Sequence, residues 1–177
     1  MRDAEILHFH NLDYLRAGNP RQRQAYKVLQ KYCVFELLRE FDPFLAGTIP
    51  IEIDVDGSDL DVLCYWENKN LFISVLQKSF SMMPNFSLRE IVLHQHQTVI
   101  ANIDVDGFPI EIFGQDLPVS AQFGYRHMMV EYKLLKKYGD DFRKEVIQLK
   151  GLGMKTESAF AKILGLDGDP YAALLAL

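Results

Sequence analysis

The sequence is short of the residues that staple, anchor or charge a chain for one obvious task. Of its 177 residues only two are cysteine. Cys33 and Cys64 stand apart with no CxxC spacing, sit among apolar neighbours and read as buried, reduced thiols. Basic charge is in deficit: 19 Lys and Arg face 24 Asp and Glu, for a net charge of −5 and a pI near 5.5. Proteins that grip a nucleic-acid backbone usually present a basic face, so an extended nucleic acid is not expected as a partner. A nucleotide held through a metal stays open, because there acidic residues are wanted. Long apolar runs are missing as well. No window is apolar for long enough to span a membrane, and "MRDAEILHFHNLDYLRAG" has no signal-peptide core. The expectation is a soluble cytoplasmic protein with no membrane partner, no low-complexity stretch and no flexible linker.

What is there supports a packed core. Hydrophobic residues make up 49% of the chain and aromatics 12%, and the length fits one domain or a domain with a helical extension. Pro20 to Phe41 repeats apolar residues at helical steps, with Asn19 as N-cap and Pro20 at the first position, and Asp42-Pro43 ends it. "FLAGTIPI" reads as a short strand entering a Gly-Thr turn. "DLDVLCYW" reads as a strand with Asp59, Asp61 and Leu63 on one face and Leu60, Val62 and Cys64 on the other. Asn68 caps a helix over roughly Lys69 to Met83. "FSLREIVLHQH" and "TVIANIDV" form a hairpin broken near Gln97, and Asp106-Gly107 turns the chain into "FPIEIFG". After Pro118 the segments from Ser120, Asp140, Thr156 and Pro170 read as helices, separated by glycines.

The stretch IDVDG occurs twice, at Ile53–Gly57 and Ile103–Gly107, and the offset of 50 also relates Asp61 to Glu111. The helix after Asn68 has no counterpart beyond Phe113, so this is not a repeated unit. An EF-hand fails too, since Gly57 stands at loop position 4 and Tyr65 at position 12, where a bidentate Glu is required. The Asp-Gly pairs are turn chemistry. Asp59 and Asp61 are another matter. They break an apolar strand pattern on one face, where adjacent carboxylates repel unless a cation or proton lies between them. Glu111, flanked by Ile110 and Ile112, is equally out of place in its strand. A turn of small residues, a carboxylate pair and a third acid from a neighbouring strand are the parts of a divalent-metal site for phosphoryl transfer. Such a site needs the three sets of oxygens within ~4–5 Å of one another.

Gly47-Thr48, then Ser58-Asp59-Leu60-Asp61 after an eleven-residue step, resembles the Gly-Ser/Thr…Asp-x-Asp signature of the nucleotidyltransferase superfamily, the polymerase-beta-like fold. The resemblance covers roughly Pro20 to Phe113. The wording "AGTIPI…GSDLD…IEIFGQ…HMMVE…TESAFAKILGL" is similar to an uncharacterised bacterial branch of it. What the resemblance implies is transfer of a nucleoside monophosphate from an NTP, dependent on Mg²⁺ or Mn²⁺. Gly47 and Thr48 would contact the triphosphate, with Ser58 beside them. Asp59 and Asp61 would hold metals, and Glu111 would hold one metal and activate an acceptor hydroxyl on a small molecule or protein. The sequence departs from the pattern in three places: Thr48 for the more frequent Ser, Glu111 for the usual Asp, and no Lys or Arg between Thr48 and Asp59. These departures motivate the alternative of a catalytically weak or inactive nucleotide-binding or protein-interaction module on the same fold.

Other polar residues have plainer readings. His94 and His96 share a polar strand face and fall short of a zinc set. Arg126, His127 and Glu131 are candidates for an inward polar cluster, with Arg126 or His127 serving a phosphate or base. Lys150 precedes a Gly-rich turn entering a helix that Thr156 would cap. Together the expectation is an α/β nucleotidyltransferase-like domain over residues 1–118, with a mixed sheet and flanking helices, and a C-terminal helical region over 119–177 packed on it.

Overall fold

A computed structural model describes residues 8–177 of the chain. After a short α1 (Asp13–Ala17), α2 spans Pro20–Lys31. Its start is a capping box: Asn19 Oδ1 accepts from the Gln22 amide at 2.9 Å and Gln22 Oε1 accepts from the Asn19 amide at 3.0 Å. The expected helix to Phe41 does not run through. Cys33 adopts a left-handed conformation (φ 51°), and a short α3 (Val34–Leu37) and a 3₁₀ turn (Arg39–Phe41) follow. A straight helix over the whole stretch would run about 33 Å. The break instead turns the chain so that Val34, Leu38 and Phe41 are all buried. It also leaves Cys33 exposed, against the expectation of a buried thiol, while Cys64 is buried.

Five strands form one mixed sheet: β1 (Phe44–Ala46), β2 (Leu60–Tyr65), β3 (Ser87–Leu93), β4 (His96–Val105) and β5 (Phe108–Gln115), in the order β1-β2-β5-β4-β3. Only β2 and β5 are parallel; the other neighbours are antiparallel. The return to β5 begins with α4 (Lys69–Phe80), whose cap is Asn68 Oδ1 accepting from the Leu71 amide at 3.1 Å. The turn between β4 and β5 is Asp106-Gly107 (φ 48° and 78°), a two-residue turn of the kind that matches strand twist. The β3–β4 turn falls at His94-Gln95 (φ 50° and 71°) rather than at Gln97. His94 therefore does not share a strand face with His96.

Strand alternation divides the molecule into two packed layers. Val62, Cys64, Ala101, Ile103 and Ile112 face a core shared with Val28, Leu29, Phe72 and Leu76. Gly114 permits that packing, because a Cβ there would sit 2.3 Å from Phe72 Cε1. On the opposite face Ala46 and Leu63 pack with Met128, Leu135, Phe142 and Phe160, from α5 (Phe123–Gly151) and α6 (Thr156–Leu164). Gly139 (φ 79°, ψ −163°) breaks α5 into two helical halves. Residue Lys155, not Thr156, is the N-cap of α6, and no side chain caps it. Then α7 (Pro170–Leu175) is capped by Asp169 Oδ2, 3.1 Å from the Ala172 amide. The architecture is an α/β fold with a five-stranded mixed sheet flanked by helices.

Candidate functional site

The alternation that buries Leu60 and Val62 on one face turns Asp61 to the other, and the same parity in β5 turns Glu111 to that side. The parallel ladder places Asp61 directly beside Glu111, and Ala46 at the end of β1 flanks Asp61 on its other edge. Immediately after Ala46 the chain turns at Gly47 (φ 85°). A Cβ on Gly47 would meet Asp61 Oδ2 at 2.3 Å. The Gly-Thr turn is thus folded against the carboxylate, and only glycine fits both the backbone and the space.

The loop from Thr48 to Asp59 is held shut at its base and from outside. Thr48 Oγ1 donates to Ser58 Oγ at 3.4 Å, Ser58 Oγ accepts from the Val55 amide at 3.0 Å, and the Ile53 amide donates to the Thr48 carbonyl at 3.1 Å. Buried Gln22 donates from Nε2 to the carbonyls of Ile49 and Pro50, at 3.0 and 3.1 Å. Arg143 donates to the carbonyls of Ile51 and Glu52. Residues far apart in sequence therefore fix the segment that presents Thr48, Ser58 and Asp59.

All of these open onto one cleft of about 880 Å³ between the sheet and the C-terminal helices. Gly47, Thr48, Ser58, Asp59, Asp61 and Glu111 line its sheet side; His127, Glu131, Lys150, Glu157, Asp169 and Tyr171 line its helical side. Arg126 is not among the lining residues. It is exposed, with its guanidinium 5.5 Å from the Phe123 ring, because a helix turns by about 100° per residue and its neighbour His127 takes the inward position.

Electrostatics at the sheet end are strained. Burial, then the charges of Asp59 and Glu111, push the Asp61 carboxyl from an ordinary 3.8 up to about 7, with Lys150 opposing them. Glu111 is raised by burial, with the Arg89 guanidinium pulling the other way and Asp59 adding to the rise. Its Oε2 lies 3.6 Å from Arg89 Nη2. The three acids share a face but do not close into one ligand set. Among the described residues the one trio of acidic or histidine ligand atoms all within 4.8 Å of one another is His127, Glu131 and Glu157. The expected convergence is thus met at the backbone and not at the carboxylates. Mutual repulsion and the pull of Arg89 on Glu111 account for the spread. Hard oxygen donors on adjacent strands, one of them raised toward neutrality by burial and then by its neighbours' charge, are chemically matched to Mg²⁺ or Mn²⁺.

The helical end holds two of the three residues expected to form an inward polar cluster, His127 and Glu131, but not Arg126. His127 and Glu131 lie one turn apart on α5, and both are buried, 6% and 4% exposed. Glu131 is pushed up to about 8 by burial and by Glu157, against Lys150. Lys150 is lowered by burial, offset by Glu131, Asp54, Glu157 and Asp59. Its ammonium stands between the two acidic ends of the cleft. The i, i+4 spacing of His127 and Glu131 was a visible signal; the approach of Glu157, Lys150 and Asp169 had none, since it depends on how α5, α6 and α7 fold together.

Residues 27–177 match the family described as Domain of unknown function (DUF4269). No curated protein matches the chain. Among solved structures, the Cid1 poly(U) polymerase with Mg 3′-dATP bound is similar over 94% of this chain and 54% of its own, at 10% identity and a TM-score of 0.55. The GLD-2/RNP-8 complex structure is similar over 86% of this chain and 60% of that one, at 14% identity and 0.53. A second Cid1 structure, described with RNA terminal uridylyl transferase activity, gives 73% and 40% coverage, 11% identity and 0.51. The chain spans 40–60% of the length of these three structures. They show that the fold is nucleotidyltransferase-like.

Proposed function

The chain belongs to the DUF4269 family, and from the geometry of its cleft we propose that it is a metal-dependent nucleotidyltransferase. In this reading it moves a nucleoside monophosphate from an NTP to a hydroxyl of a small molecule or protein. The observation that carries it is the pairing of Asp61 beside Glu111 with the Gly47-Thr48 turn packed on Asp61, all opening into one cleft. Asp59 and Asp61 would hold Mg²⁺ or Mn²⁺. Glu111, which does not close with them into one ligand set, would be drawn in as third ligand when the cation offsets the repulsion among the acids, or would act as the base that takes the acceptor's proton. The bound ion supplies Lewis-acid stabilisation of charge developing at the α-phosphate. Gly47 and Thr48 would orient the triphosphate, the Thr48–Ser58 pair would keep the loop in place, and Lys150 is the lysine that faces the cleft. His127 stands where a base or phosphate could reach it. The Cid1 structure holding Mg and 3′-dATP supports the choice of ligands.

One observation favours the second reading, a nucleotide-binding or protein-interaction module that has lost catalysis. Among the described residues six acids line the cleft (Asp59, Asp61, Glu111, Glu131, Glu157 and Asp169), against Lys150 as the one lysine or arginine, which is a poor field for a polyphosphate. The test is titration of each NTP into the protein with Mg²⁺ or Mn²⁺, followed by incubation with α-phosphate-labelled NTP and a pyrophosphate assay. Metal-dependent binding, label transfer and loss of both in Asp61→Asn are expected. Binding without pyrophosphate release selects the second reading. Absence of binding, together with unchanged metal affinity in Asp59→Asn, removes the site from consideration.

A further inference from the structure

We propose that His127, Glu131 and Glu157 form a second cation site at the helical end of the cleft, suited to a borderline divalent ion such as Zn²⁺ and separate from Asp59, Asp61 and Glu111. Two residues come from one face of α5 and the third from the first turn of α6. One ligand atom from each already lies within 4.8 Å of the others. Tetrahedral zinc with bonds of about 2.0–2.1 Å places its ligand atoms ~3.4 Å apart, so modest side-chain rotation closes the set.

A cluster of acids alone would not suffice, and two further observations point to a ligand. His127 Nδ1 is buried and has no hydrogen-bond partner. Glu131 is 96% buried, lines the cleft and makes no side-chain hydrogen bond or ion pair with another of the described residues. Buried polar groups are otherwise almost always satisfied. An imidazole with an unpartnered buried nitrogen and a mostly buried carboxylate one turn away, with Glu157 completing a third corner, are the donor arrangement of a three-residue site with a free position. An imidazole among the donors selects Zn²⁺, Fe²⁺ or Co²⁺ over Mg²⁺, which prefers oxygen alone. Tyr171 packs edge-on against the His127 ring, with centroids 5.6 Å apart. Lys150 is the competing explanation, since its ammonium partly neutralises Glu131 and Glu157. It lies beyond 4 Å of both, however, and leaves the imidazole untouched.

The experiment uses Co²⁺ as the probe, because its visible d–d bands report a low-coordinate N/O site. The full chain carrying Asp61→Asn and Glu111→Gln is stripped with a chelator and titrated with Co²⁺. One equivalent with visible bands is expected, displaced by Zn²⁺. His127→Ala and Glu157→Gln in that background should each weaken Co²⁺ binding by more than about tenfold, since even outer-shell losses cost that much. Glu157 is half-buried at a helix start, so its glutamine variant keeps the fold if the buried His127 variant does not. Absence of bands in the Asp61→Asn, Glu111→Gln protein overturns the proposal, as does unchanged affinity in Glu157→Gln. Either failure leaves the nucleotidyl-transfer reading intact, because that reading rests on the other three acids.

Discussion

Asp61→Asn tests the electrostatics of the sheet end most directly. The exchange is nearly isosteric, so the space that Gly47 leaves for the side chain stays filled. The folded protein holds the Asp61 carboxyl near 7, against an ordinary 3.8. Between those two values the folded state keeps a proton that the unfolded state has released. Stability therefore falls as pH rises through this window and levels off above about 7, where both states are ionised. Three units correspond to about 4 kcal/mol as a ceiling, reduced by water reaching the cleft and by relaxation around the charge. Asparagine carries no such penalty. Urea unfolding without divalent ions should show Asp61→Asn more stable than the parent at pH 8, by about 1–4 kcal/mol. The gap should close toward pH 4. Addition of Mg²⁺ should raise the parent's midpoint and leave the variant's unchanged. Equal stability at pH 8, or a difference independent of pH, refutes the argument that Asp61 is a buried acid compressed by its neighbours.

Three further outcomes follow from local geometry. Gly47→Ala should destabilise by about 1–3 kcal/mol, from the left-handed backbone and the 2.3 Å approach to Asp61 Oδ2; a denaturation cycle with Asp61→Ala should recover the part due to contact. Replacing His94-Gln95 by Asn-Gly should stabilise by about 0.5–1 kcal/mol, because both positions are left-handed, with thermal unfolding as the readout. Gly114→Ala should cost about 2–4 kcal/mol through displacement of the Phe72 ring, seen as a lowered urea midpoint and a changed near-UV spectrum.

What could be read from sequence here follows the reach of each signal. Asp59, Asp61 and Glu111 announced themselves because an acid inside an apolar alternation violates a short-range rule, and the Asn19 and Asn68 caps are local hydrogen bonds. The break at Cys33 left no trace, since cysteine is not a turn residue and the conformation is imposed by burying Val34 and Leu38. The same applies to His94-Gln95, where the strand pairing around the turn overrides two side chains that do not favour it. Lys150, Glu157 and Asp169 reach the cleft only through helix packing, which no spacing encodes. Even Glu111 was legible as an acid on a strand but not as one drawn toward Arg89.

The ladder between β2 and β5 also decides how the chain can change in length. Every paired residue from Leu60–Ile110 to Tyr65–Gln115 keeps the offset of 50, yet nothing holds that number except the lengths of the segments between. An insertion in the loop between α4 and β3 alters the count and leaves the pairing as it is. One residue inserted between Ile110 and Glu111 would carry the glutamate to the opposite face, into the apolar layer. Length variation in this fold should therefore be free in its loops and forbidden within two short strands, and a scan of single-residue insertions would trace that boundary.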